Sequence, residues 1–218
     1  MAHAYPLNLD VTDRLVVIIG GGKVAARKCE GLLAAGAKRV RVVSPAFCDR
    51  VPAGVERVAA TYEPKHLDGA GLVFAATNVP AVNDAVVRDA QSRGVFVNRA
   101  DSSDALAGDF STPAIHRQEA VLVTVSAGGS PVLAARLRDQ IAPLLDRDLL
   151  MMADAMRQIR PAVMADASLT EPQRRDIFRS LAGDEAIEVL KHGGIDSLFE
   201  WIALQSHAAS RPTKTEQT

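Results

Sequence analysis

The feature that most limits the fold is a glycine triplet, Gly20-Gly-Gly22, standing directly after a wholly apolar run, Leu15-Val-Val-Ile-Ile19. An unbroken apolar stretch rich in β-branched residues reads as a strand buried on both faces. The glycines at its end permit a tight turn and a close backbone approach. Residues 23–35 then read as a helix, with apolar Val24, Leu32 and Leu33, small Ala25 and Ala26, and Gly36 as its stop.

The alternation repeats. Strands are expected at 40–43, 55–59, 72–76 and 95–97, and a helix at 80–93 closed by Gly94. Strands alternating with helices at this pitch predict a parallel sheet with right-handed crossovers, an α/β domain of Rossmann type. After about residue 108 the pattern changes. Residues 110–115 and 120–125 suggest a hairpin around Arg117-Gln-Glu119, followed by the turn Ser126-Ala-Gly-Gly129. Ser130-Pro131 is an N-cap followed by proline at the first helical position. Helices follow, with a capping box at Thr170-Glu-Pro-Gln173, N-cap residues Asp184 and Asp196, and stops at Gly183 and Gly193. The expected organisation is a sheet domain over 1–112, a strand–helix region over 113–146, a small all-helical domain over 147–205 and a loose tail over 206–218.

Composition removes several function classes. The net charge is −1, and aromatics make up only 4% of the chain. Neither bulk charge nor stacking platforms therefore argue for nucleic acid. The two cysteines, Cys29 and Cys48, have neither metal-site spacing nor a framework of further cysteines. The apolar runs are about five residues long, far short of the roughly 20 that span a bilayer. The start, Met1-Ala-His-Ala-Tyr-Pro6, has no basic or apolar leader pattern, so the expected location is the cytoplasm, with no membrane partner.

Gly20-Gly-Gly-Lys-Val-Ala25 fits G-x-G-x-x-A between a strand and a helix. In that context the first glycine makes the turn and the second admits a pyrophosphate. The alanine brings the helix close to the sheet, and the free N–H groups at the helix N-terminus meet the phosphates. An acid that binds ribose should close the second strand, about 20 residues on. Val43-Ser-Pro45 stands there instead. Ser44 offers a hydroxyl for ribose without excluding a 2′-phosphate, so the motif alone leaves NAD and NADP both open.

Asn98-Arg-Ala-Asp-Ser102 follows a later strand. A carboxylate there lies at the ligand-binding end of an open α/β sheet and suits general acid–base work. Asp101 is the candidate; Asp104 and Asp109 compete for the role, and an Asp in such a run also serves as a simple turn residue. The five histidines are scattered, and only His116 falls near the expected cleft. Arg99, Arg117, Arg136 and Arg138 are candidates for gripping substrate carboxylates or, equally, solvated surface charges.

Several blocks together resemble precorrin-2 dehydrogenase, the dehydrogenase portion of siroheme synthases. They are Tyr5-Pro-Leu-Asn-Leu9, Gly20-Gly-Gly-Lys-Val-Ala-Ala-Arg-Lys28, Leu32-Leu-Ala-Ala-Gly36 and Val43-Ser-Pro45, then Ala75-Ala-Thr-Asn78 and Val97-Asn-Arg-Ala-Asp101. Phe110-Ser-Thr-Pro-Ala-Ile115 and Val123-Thr-Val-Ser-Ala-Gly-Gly-Ser-Pro131 complete them, so the likeness runs in order over about residues 5–145.

The resemblance implies an enzyme that oxidises precorrin-2 to sirohydrochlorin with NAD, and in some members inserts ferrous iron to give siroheme. It implies a homodimer, with 113–146 as the dimerisation region. It puts the catalytic carboxylate on Asp101, and cofactor contacts on Gly20, Gly22, Lys23, Val24, Ser44, Pro45, Ala46, Thr77 and Asn78. The substrate side falls on Arg99, Arg117, Arg136, Ser126 and Gly128, with no resident metal. The family uses NAD without an acid at the second strand.

Two departures stand out. The serine that some members phosphorylate just before the Gly-Gly is Ala127 here, with Ser126 ahead of it. The sequence also carries no methyltransferase domain of the kind fused in larger siroheme synthases, so methylation of uroporphyrinogen is expected to fall to another protein. The alternative from another class is a non-catalytic NAD(H) sensor, which would need the glycines but neither Asp101 nor the Ser126–Pro131 block. A methyltransferase is a further rival, disfavoured by Ser44 in place of an acid.

Overall fold

The computed structural model describes residues 5–101 and 106–209, with side chains to 205. The chain divides into two units, Ala2–Thr112 and Pro113–Thr218.

In the first unit, β1 (Leu15–Ile19), β2 (Arg39–Val43), β3 (Glu56–Val58), β4 (Leu72–Ala75) and β5 (Val97–Arg99) form a parallel sheet. The strand order is β3-β2-β1-β4-β5. Every residue of β1 is buried. Val16 and Ile18 face α1 (Lys23–Ala34) through Ala25, Ala26, Cys29 and Leu32. Leu15, Val17 and Ile19 face α2 (Pro80–Ser92) through Val86, Val87 and Ala90. The continuous apolar run is thus a strand covered by a helix on each side.

β5 begins two residues later than the sequence suggests. Gly94, at φ +67°, ends α2, and the Val95 N–H donates back to the Ala90 carbonyl at 3.0 Å. Val95 is thereby committed to closing the helix. β3 keeps only three of the five residues expected.

The second unit opens with β6 (Ala114–Gln118) and β7 (Val121–Val125), an antiparallel hairpin in register from Ala114–Val125 to Gln118–Val121. Its turn is Glu119-Ala120, with Glu119 in the left-handed region at φ +49°. The hairpin therefore starts four residues later than expected, and Arg117 is a strand residue. Phe110 belongs to the first unit, where its ring meets Phe74 edge-on at 5.5 Å.

Ser130 caps α3 (Pro131–Ile141) by accepting from the Leu133 N–H at 3.3 Å. The helices α4 (Arg147–Ala165), α5 (Glu171–Leu181) and α6 (Asp184–Ala209) share a core centred on Ile159, Leu181 and Leu198. The Thr170–Gln173 capping box is present. Asp184 is the first helical residue of α6, and Gly183 supplies the carbonyl that accepts from Ile187 N–H. The break expected at Gly193 occurs at Gly194, φ +70°, and Asp196 lies beyond it inside the helix. The α6 backbone continues to Ala209, into the expected tail; residues 210–218 of that tail lie outside the described residues.

Two measurements test this packing. Ile159→Ala removes a fully buried side chain and should lower unfolding stability by about 2–5 kcal/mol in a urea titration. Lys28 donates to Thr112 Oγ1 at 2.6 Å and lies over the Phe74 ring at 5.3 Å. Burial, with Arg27 nearby, brings its ammonium down to about 8. Between about 8 and the ordinary 10.5 the unfolded chain binds the extra proton, so this group's contribution to stability rises with pH across that window. The stability difference between the parent protein and Lys28→Met should move in the parent's favour from pH 8 to 10.5.

Candidate functional site

The sheet order reverses between β1 and β4, and in open α/β sheets ligands bind outside the carboxyl ends at that point. The three glycines lie there and do different work. Gly20, at φ +122°, closes the turn, and a Cβ on it would come within 2.4 Å of the Ala76 carbonyl oxygen. Gly21 is pressed against the loop after β2: its Cβ would lie 2.0 Å from the Ala46 oxygen, and its own carbonyl accepts from Cys48 N–H at 2.8 Å. Gly22 has an ordinary φ of −85° and is the N-cap of α1. A Cβ on it would meet no atom within 4 Å.

That contrast is the test of whether a dinucleotide fits. Gly22 faces open space above a helix start that no side chain caps and that holds no acidic residue in its first turn. Lys23 is exposed and Val24 half-buried at that start. A phosphate would find free N–H donors and the positive end of the helix. Ser44 and the exposed Pro45 and Ala46 flank the loop. Ser44 Oγ accepts from Ala46 N–H at 3.4 Å. The residues fit a pyrophosphate with its adjoining ribose.

Beside this lies a polar network joining the ends of β4 and β5. Asn83, in the first turns of α2, is wholly buried. Its Oδ1 accepts from the Thr77 N–H at 3.1 Å and from the Thr77 hydroxyl at 2.8 Å. Its Nδ2 donates to the Thr77 carbonyl at 3.1 Å and to Asp101 Oδ2 at 3.0 Å. Asn78, next to Thr77, is exposed. Asp101 sits two residues past β5, its carboxylate held by Arg99: Nε donates to Oδ1, and Nη2 to Oδ2 at 3.1 Å. Arg99 also pairs with Asp84 on α2 and donates to the Leu106 carbonyl at 3.0 Å. The Arg99 fork holds the Asp101 carboxyl below its ordinary range; burial opposes it less strongly, and the Asn83 amide adds a smaller lowering of its own. Asp101 and Asp84 in turn raise Arg99.

Arg99 therefore does not serve as the substrate grip expected of it. Its side chain is 3% exposed, and its hydrogens are directed at two carboxylates and a carbonyl. Asp109 leaves the contest as well. Its carboxylate accepts from Val97 N–H at 2.9 Å and Gln91 Nε2 at 2.8 Å, at the opposite, amino end of β5. Asp104 lies outside the described residues.

The remaining expected residues belong to the second unit. Arg117 on β6 and Arg136 on α3 are exposed, as are Ser126 and Gly128 in the turn before α3, where Gly128 and Gly129 both have positive φ. Arg138 is paired with Asp139. His116 is a half-buried strand residue whose Nε2 is 3.3 Å from Gln118 Oε1. Sequence reasoning missed Asn83 and Asp84. The available signal was an adjacent amide and acid in the first turns of a helix that leaves the Thr77 loop.

The glycines make a paired test. Gly21→Ala overpacks backbone against backbone and should destabilise the first unit by about 1–3 kcal/mol. Gly22→Ala should leave thermal stability within about 1 kcal/mol, since its Cβ meets open space. Equal losses in a denaturant titration would refute the assignment of roles.

Residues 7–114 match the family described as "Putative NAD(P)-binding". The siroheme synthase of Methylobacillus flagellatus is 36% identical over 192 residues, 84% of this chain and 40% of that protein. The siroheme synthase of Photorhabdus laumondii is 40% identical over 179 residues, 79% of this chain and 37% of that protein. The chain thus spans about two fifths of the length of these curated relatives. Among solved structures, SirC, a precorrin-2 dehydrogenase, superposes with a TM-score of 0.69 at 20% identity, covering 92% of this chain and all of that one, which bears on the fold. On these likenesses the chain belongs to the siroheme synthase family, with residues 7–114 as its NAD(P)-binding part.

Proposed function

We propose that the protein oxidises precorrin-2 to sirohydrochlorin, with NAD as the hydride acceptor. One observation carries the reading. A fixed carboxylate, Asp101, is tied through Asn83 to the Thr77 loop, at the same sheet end as the open helix start at Gly22. Binding of the pyrophosphate falls to the backbone of Gly20, Gly22, Lys23 and Val24. Ser44, Pro45 and Ala46 border the ribose, and Thr77 and Asn78 border the nicotinamide half. Bound NAD supplies an acceptor for one hydride. Asp101 is the group of this chain that acts on the substrate.

Precorrin-2 is a reduced tetrapyrrole with many carboxylate arms, so its binding calls for cations. Arg117 and Arg136 are exposed and form no ion pair among the described residues. With Ser126 and Gly128 they form the proposed substrate side. The second unit also exposes apolar Ile115 and Leu122 on the hairpin, and Val132, Leu133 and Leu137 on α3. Such a surface supports a homodimer through this region. Ferrous iron, where it is handled, is a substrate, and its insertion into sirohydrochlorin is part of the same proposal.

Anaerobic incubation with precorrin-2 and NAD should produce the sirohydrochlorin absorbance, and later addition of Fe²⁺ or Co²⁺ reads chelation. NADH binding without turnover would make the protein a sensor. Gly22→Asp places a negative charge at the helix start and should abolish NADH binding by fluorescence titration while the protein stays folded. Asp101→Ala should reduce turnover by about 10²–10³-fold with NADH affinity little changed, and His116→Ala should leave turnover near normal. Light scattering at micromolar concentration should give twice the chain mass; an active monomer would refute the dimer.

A further inference from the structure

We infer that Asp101 works as a permanently ionised carboxylate that stabilises positive charge on the substrate as hydride departs, and that Arg99 and Asn83 are the positioning residues that keep it from acting as the proton acceptor. The inference rests on the proposed dehydrogenation and specifies how its carboxylate acts.

Among the described residues three side-chain hydrogens are donated to the Asp101 carboxylate: Arg99 Nε on Oδ1, Arg99 Nη2 on Oδ2 at 3.1 Å, and Asn83 Nδ2 on Oδ2 at 3.0 Å. A carboxylate offers about four lone-pair sites, so these donors take up most of its accepting capacity. Protonation would require Asp101 to give up part of a two-point contact with a guanidinium that is 3% exposed. Arg99 cannot swing to solvent in compensation, because Asp84 and the Leu106 carbonyl hold its other edge. The Asn83 amide is fixed in turn, since its oxygen accepts twice from Thr77. Among the described residues the charged groups facing Asp101 are Arg99 and, through it, Asp84. All the donors hydrogen-bond the charged form, which is the arrangement that keeps a carboxyl ionised. A good general base needs the opposite, a proton affinity matched to the working pH.

The chemistry balances without a protein base. The substrate's C–H bond breaks and its electron pair leaves with hydrogen as hydride to NAD, giving NADH. The tetrapyrrole keeps one positive charge, spread over a pyrrole nitrogen and the adjoining carbons. A fixed negative charge beside it lowers the barrier, because the charge is in place before the reaction and needs no reorganisation. The cationic nitrogen then loses its proton to water, which completes the overall loss of a hydride and a proton.

Chemical rescue of Asp101→Ala distinguishes the two roles. If Asp101 is an ionised stabiliser, formate and acetate should restore turnover to similar extents, at least about tenfold, and neutral imidazole should restore none. Deuterium in the transferred position should slow the parent enzyme, whereas D₂O should leave the chemical step nearly unchanged. Carboxyl carbon NMR of the protein without cofactor or substrate, assigned by comparison with Asp101→Asn, should show Asp101 ionised below the ordinary carboxylate range. Asn83→Ala and Arg99→Lys, the latter retaining charge, should each raise that titration. Rescue that grows with the basicity of the added compound, or a D₂O effect above about twofold on chemistry, would overturn the inference. An ordinary or raised Asp101 titration in the parent protein would overturn it as well. If the parent protein fails to turn over precorrin-2 at all, the proposed function fails, while the NMR titration still reads the state of Asp101.

Discussion

Helices cover both faces of the parallel sheet, and that constraint determines where chemistry can occur. A side chain in the middle of β1 or β4 points into one of two apolar layers, and both strands are buried at every position. Reactive groups must come from the segments that leave the carboxyl ends. The crevice where the order reverses between β1 and β4 is the opening that the crossovers leave. The glycine triplet, the Ser44 loop, Thr77 and Asp101 all belong to such exits. The sheet therefore acts as a ruler: the parallel pairing of β4 with β5 brings the Thr77 and Asp101 segments side by side, and Asn83 can bridge them.

How much of this was legible in the sequence follows from the range of each interaction. Gly20-Gly-Gly22 after a five-residue apolar run has a local cause, and both turn and helix lie where the spacing put them. Asp101 could be placed because a strand end is also local. The burial of Arg99 could not, because it depends on Asp84 from α2, fifteen residues earlier in the chain. Nor could the separate jobs of Gly21 and Gly22, because the contact that confines Gly21 is with Ala46 across the sheet edge. Asp109 competed with Asp101 in the sequence, and its carboxylate's bonds to Val97 and Gln91 assign it to the other end of β5. The hairpin register was missed for a related reason: Glu119 adopts a left-handed turn in a conformation usually marked by Gly, Asn or Asp.

The second unit has a different logic. Its three last helices build a core of their own around Ile159, Leu181 and Leu198, while α3 buries only Ala134 and leaves Val132, Leu133 and Leu137 exposed. The capping signals, Ser130 and Thr170, were readable because a cap acts within three residues. The kink at Gly194 follows from two adjacent glycines of which only one has room. A Cβ on Gly193 would collide with Ser197 at 2.1 Å, so Gly193 keeps the helical path in close contact and Gly194 takes the positive φ.

The charge state of the cluster links stability to chemistry. Asp84, Arg99 and Asp101 together carry one net negative charge, with the guanidinium sealed between its partners. Removing either carboxylate leaves a buried cation less well matched, and removing Arg99 leaves two carboxylates close together. Single replacements are thus expected to disturb the fold as well as the reaction, and conservative variants are the informative ones. The surplus negative charge lies on the two carboxylates, Asp84 and Asp101, which are each about one quarter exposed while Arg99 is enclosed. Under the proposed reaction, the Asp101 charge would repel an anionic arm of the substrate and attract the centre that loses hydride. In that reading one fixed charge both orients the ring before reaction and lowers the energy of the cation formed during it.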